Sequence, residues 1–197
     1  MTANPGSIRT AGGVRLWLPE SWLEVDPRLP DLTTEVVRTL TEHGAAHDET
    51  ELTRTVAPLV FELRRLSARA EVLLVGLYTD FVDDDSGHVQ VFTANVTVAL
   101  SPPVGKRAGV REVIQREALA DGVETGLHLL SGGPAFTTWG RMSFPRAGTK
   151  AFTRRFHVPV PGLDQVAVLA FSTPNVDFAA EFDLMFMTIA DSFRFVG

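Results

Sequence analysis

The chain has 197 residues, 45% hydrophobic and 21% charged. That balance suits one folded domain with a sizeable core and excludes a disordered or fibrous class. The formal net charge of −6 weighs against non-specific nucleic-acid binding, and the lack of cysteine excludes disulfides, thiolate catalysis, iron–sulfur clusters and cysteine-based zinc sites.

The opening MTANPGSIRTAGG carries one Arg and no apolar secretory core. A cytoplasmic protein is therefore expected, with residues 1–12 as a flexible N-terminus. Val14–Leu18 alternates as a short strand and runs into a turn, Pro19-Glu20-Ser21-Trp22, with an aromatic anchor. Asp31 is placed to cap a helix through Leu32, Val36 and Leu40 that ends near Gly44. Asp48 and Glu51 open a longer helical segment, Asp48–Ala70, interrupted at Pro58 because proline removes a backbone N–H.

Val72–Tyr78 reads as a strand, Asp80–Gly87 as a polar turn and Val89–Leu100 as a long strand with one half-solvated face. Gly109–Ala120 has helical spacing. Thr125–Leu130, Phe136–Phe144 and Phe152–Val160 are strand candidates.

Residues 166–195 are apolar almost throughout, but Asp177, Glu181, Asp183, Asp191 and Arg194 interrupt them. Charges at that density oppose a membrane span, so no membrane insertion is expected. Val166–Phe171 instead reads as a strand buried on both faces, followed by a turn and a helix capped by Asp177. At about 100° per residue, Phe178, Phe182, Met185, Phe186, Ile189 and Phe193 share one face of that helix. Leu184 and Met187 fall opposite, near Ala180, as a small apolar patch for a partner or a second cover.

Short turns between strands favour antiparallel pairing. The expected fold is a single α+β domain over residues 1–197, a largely antiparallel β-sheet with helices on both faces.

The segment VRLWLPESWLEVDP resembles the "strand, Leu-Pro, two residues, Trp" opening of the PsbP/Mog-type α/β/α sandwich superfamily. The closing FSTPNVDFAAEFDLMFMTIADSFRF is similar to its final strand and helix. The matching residues are Pro19, Trp22, Phe182, Ile189, Ser192 and Phe193, a packing pattern rather than a catalytic one. The layout also resembles that of small actinobacterial proteins. The likeness covers the two ends of the chain and departs in the middle, at Asp48–Ala70. It implies an accessory protein that binds a ligand or partner, without catalysis.

No nucleophile elbow, phosphate loop or dinucleotide fingerprint is present. Ser131-Gly132-Gly133-Pro134 reads as a tight turn. His43 and His47, with Asp48 and Glu49, have metal-ligand spacing, but Gly44 between them ends the helix that would align them. Asp80, Asp83, Asp84 and Asp85 lack the register and helices of a calcium loop. His88, His128 and His157 have no partner in sequence spacing. No catalytic residue, metal or cofactor is therefore expected.

Arg141, Arg146, Lys150, Arg154 and Arg155 form a basic stretch interleaved with Trp139, Phe144, Phe152 and Phe156. Five charges in an acidic chain are a weak nucleic-acid footprint, and no nucleic acid is expected. The expected function is a non-catalytic binding or assembly module with a protein partner or a second copy of itself. Its interface would draw on Ala180, Leu184, Met187, Arg141, Arg146, Arg154 and Arg155. The alternative is a small-molecule-binding protein or enzyme with a pocket between sheet and helices, where Trp17, Trp22, Trp139 and Tyr78 are lining candidates.

Overall fold

The computed structural model describes residues 6–11, 13–26, 31–42, 60, 63, 70–83, 89–101, 103, 123–144 and 149–196. Among them, β1 (Gly6–Ala11), β2 (Val14–Pro19) and β10 (Arg194–Phe195) form a three-stranded sheet in the order β1-β2-β10. Gly6–Ala11, read from the sequence as part of a flexible N-terminus, pairs with β2 along its whole length.

The main sheet has seven strands in the order β3-β4-β5-β9-β8-β7-β6. They are β3 (Trp22–Glu24), β4 (Glu71–Asp83), β5 (Val89–Leu100), β6 (Val123–Leu130), β7 (Gly133–Phe144), β8 (Thr149–Pro159) and β9 (Val166–Thr173). Every ladder is antiparallel.

The expected sandwich with helices on both faces is corrected. The described residues are mostly antiparallel β-sheet with two short helices, α1 (Leu32–Glu42) and α2 (Ala179–Asp191). The strands outrun the apolar runs that announce them, because a sheet face open to water accepts polar residues without breaking the ladder. Thus β4 continues through Asp80 and Asp83, which the sequence reading put in a turn, and β7 starts at Gly133. The helical expectation at Gly109–Ala120 lies outside the described residues. So does Asp48–Ala70, apart from Val60, Leu63 and Ala70.

Asp31 caps α1 as expected. The Thr34 N–H and hydroxyl donate to its two carboxylate oxygens at 3.1 and 2.8 Å. Val36 and Val37 of α1 join Val60, Leu63, Val72, Val75 and Leu77 in a cluster at the β4 end of the sheet.

β9 is the middle strand, and α2 packs over it, β8 and β2. The apolar stripe of α2 is seated as its periodicity requires. Phe182, Phe186, Ile189 and Phe193 are buried, and Phe178 and Met185 are half-buried against the same core. Asp177 is not the cap. It lies inside a 3₁₀ turn, Val176–Phe178, and Phe178 occupies the cap position of α2 without a side-chain hydrogen bond. Asn175 fixes the entry instead. Its Oδ1 accepts the Thr93 N–H at 2.9 Å, and its side-chain N–H donates to the Val91 carbonyl at 2.8 Å.

Trp22, Phe182, Ile189 and Phe193 share the core, and Ser192 Oγ accepts the Trp17 N–H at 2.9 Å.

Candidate functional site

Along β4, Leu74, Gly76 and Tyr78 alternate towards α2. A Cβ at Gly76 would lie 3.0–3.1 Å from Leu18, Val96 and Trp22, so a larger residue there would push these side chains back from the sheet. Tyr78 follows, its ring 6.0 Å from Trp22 and 6.2 Å, edge to face, from Phe182. Phe92 of β5 meets Phe178 edge to face at 4.9 Å, a contact set up by the Asn175 bonds to the same stretch of β5.

Between these rings and α2 lie two adjoining cavities of about 280 and 200 Å³ that share Tyr78 and Met185. Trp17, Ser21 and Thr188 line the larger; Phe92, Phe178, Phe182 and Glu181 line the smaller. Burial, then the charge of Asp80 and its hydrogen bond with the Tyr78 hydroxyl, push the phenol up to about 12. Tyr78 therefore stays a neutral phenol near neutral pH. A mostly apolar lining with a few polar groups is the usual make-up of a small-ligand site.

The residues expected at an interface are dispersed. Leu184 and Ala180 are exposed on the outer side of α2, whereas Met187 is half-buried against the core. Arg141 is exposed and donates to the Val176 carbonyl at 3.3 Å. Arg155 is half-buried, and Arg146 lies outside the described residues. Arg154 is buried, and Nη1 lies 2.6 Å from both carboxylate oxygens of Asp183 on α2. Its guanidinium sits 5.0 Å from the Trp139 ring centre and 5.3 Å from that of Phe156. Of the four pocket candidates, Trp17 and Tyr78 line the cavities, Trp22 packs beside Tyr78, and Trp139 belongs with Arg154.

One feature escaped the sequence reading. Leu127 and Leu129, on one side of β6, are 77% and 78% exposed. No described strand pairs with the outer edge of β6. A signal was available, because Leu127 and Leu129 alternate with Gly126, His128 and Leu130, and Leu130 is buried. Sequence alone does not say that β6 ends the sheet.

Among the described residues, no three His, Asp or Glu side chains converge as metal ligands. The His43–Glu49 candidate lies outside them, as do Asp84, Asp85 and His88. Among the described residues, no helix is long and apolar enough to cross a membrane. Comparison with protein-family models gives no match, and comparison with curated proteins gives none either.

Proposed function

We propose that this chain is a non-catalytic binding or assembly module that pairs with a second copy of itself along β6. The observation that carries the reading is the exposure of Leu127 and Leu129 side by side at the end of the main sheet. An edge strand offers unpaired N–H and C=O groups, and soluble proteins blunt such edges with charge, proline or a bulge. β6 reads VETGLHLL, with no proline and one charge, at its far end.

Antiparallel pairing about a two-fold axis at His128 sets Leu127 opposite Leu129 of the second copy, and the reverse. Four leucines then bury one another while the ladder extends.

Light scattering across a concentration series tests this. Twice the 21.5 kDa chain mass is expected, reverting to the single mass in Leu127→Lys/Leu129→Lys. Both side chains are exposed, so the variant keeps its fold, as circular dichroism will report. A single mass at every concentration, or a dimer that survives both lysines, overturns the reading.

The twin cavities at Tyr78 favour a second reading, a small-molecule pocket between sheet and helix.

A further inference from the structure

We propose that the smaller cavity, bounded by Tyr78, Phe92, Phe178 and Phe182, binds an organic cation of the quaternary or methylated ammonium class. The inference rests on the pocket reading above and supplies its ligand chemistry. Four aromatic rings border about 200 Å³. They form two steep pairs, Phe92 with Phe178 at 78° and Tyr78 with Phe182 at 71°. The cavity is open to solvent, so these rings would border a ligand on one side and leave its other side in water. Aromatic π-faces carry negative quadrupole density and attract a cation whose methyl groups also need apolar cover.

The lining charge has the matching sign. Of the residues around this cavity, Glu181 is the ionisable carboxylate, and none is Lys or Arg. A second carboxylate, Asp80, stands at the Tyr78 hydroxyl at 3.2 Å. An anionic ligand would meet Glu181. A neutral apolar ligand would gain from the rings and nothing from the charge. A soft cation gains from both. Glu181 is exposed, so it stays hydrated until a ligand arrives and needs no buried counter-ion. Met185 adds a polarisable thioether shared with the larger cavity.

The test uses the full chain and two probes of the same shape. One is choline. The other is 3,3-dimethyl-1-butanol, in which carbon replaces the charged nitrogen. Each is titrated by calorimetry at matched ionic strength, with tryptophan fluorescence as a second reporter because Trp17 lines the adjoining cavity and Trp22 touches Tyr78.

Choline is expected to bind about tenfold more tightly than the alcohol. Glu181→Gln, at an exposed position, should remove most of that preference, and Phe178→Leu should weaken choline more than the alcohol. Equal binding of the two probes overturns the cation assignment and leaves the pocket reading standing. Binding of neither overturns both.

Discussion

β9 and β6 are strands of equal length, with six apolar residues of eight in β9 and four of eight in β6, and they have opposite fates. β9 has a long strand on each side and α2 above it, and Val166, Ala167, Leu169, Phe171 and Thr173 are all buried. β6 has a described neighbour on one side only, and it holds Leu127 and Leu129 in water. Position in the sheet acts together with composition in deciding which leucine becomes core.

The forces differ as well. The centre is held by stacked aromatics. The β6–β7 hairpin meets α2 through polar groups, with the Asp191 carboxylate accepting from the N–H and hydroxyl of Ser131. Backbone contact adds to this, because a Cβ at Gly132 would lie 2.3 Å from the Phe193 carbonyl oxygen. If the contrast is right, damage should shrink from centre to edge and become more sensitive to pH along the way.

The largest effect should come from Phe186→Ala. Phe186 is fully buried, stacked on Phe171 at 4.9 Å, with the rings of Phe182 and Phe152 5.9 and 6.4 Å away. Removing such a ring costs about 3–5 kcal/mol through lost transfer energy and the cavity left behind. Urea denaturation should report that loss with little change across neutral and acidic pH. A cost under about 0.5 kcal/mol, within the range of surface substitutions, would deny the centre its anchoring role.

Arg154→Ala tests the boundary. Arg154 stands on β8 between the aromatic centre and the outer hairpin, against Asp183, Trp139 and Phe156. Truncation strands a carboxylate that is 29% exposed and removes the stem packed on both rings. The expected cost is about 2–3 kcal/mol, below the full value for a wholly buried pair because Asp183 keeps some water. Arg154→Met with Asp183→Leu removes both charges together and should regain most of it. A double variant as unstable as the single would assign the cost to shape rather than charge.

The centre was legible in the sequence. Six apolar residues in a row and a phenylalanine stripe at three- and four-residue spacing specify a buried strand and its covering helix, and the structure holds both. Part of the boundary was legible too. Arg154 has the parity of Phe152 and Phe156, which points it inward whatever its charge. Its partner was not, because Asp183 lies 29 residues away and on a helix.

The groove was half legible. Trp17 and Tyr78 stood out as large amphipathic residues. Phe92, Phe178 and Glu181 meet at the cavity from distant parts of the chain, where Asn175 ties the start of the α2 segment to β5. The edge position of β6 was not legible, since strand order follows from pairings across the whole chain. Among the described residues strand outweighs the expected helical layers, and strands such as β4 extend through polar residues that local reading assigns to turns.

The smallest effect belongs to the Asp191 tether, and its pH dependence distinguishes edge from centre. The Ser131 N–H, then the Ser131 hydroxyl, holds the Asp191 carboxyl below the usual carboxylate range; burial opposes them, and the charges of Arg194 and His128 reinforce them. A carboxyl depressed in the fold stabilises it fully above the unfolded value near 3.8. That contribution fades as pH falls through the depressed folded value. Asp191→Ala should therefore lower the Tm at pH 7 by no more than about 2 °C, since the group is largely solvated and screened. The gap between variant and parent should close as the pH falls far enough to protonate the parent carboxyl as well. Hydrogen exchange should quicken at the β6–β7 turn and stay unchanged in β9. A gap that persists undiminished in acid would mean that the Asp191 charge is not what ties the hairpin to α2, and the contrast between the two regions would reduce to exposure alone.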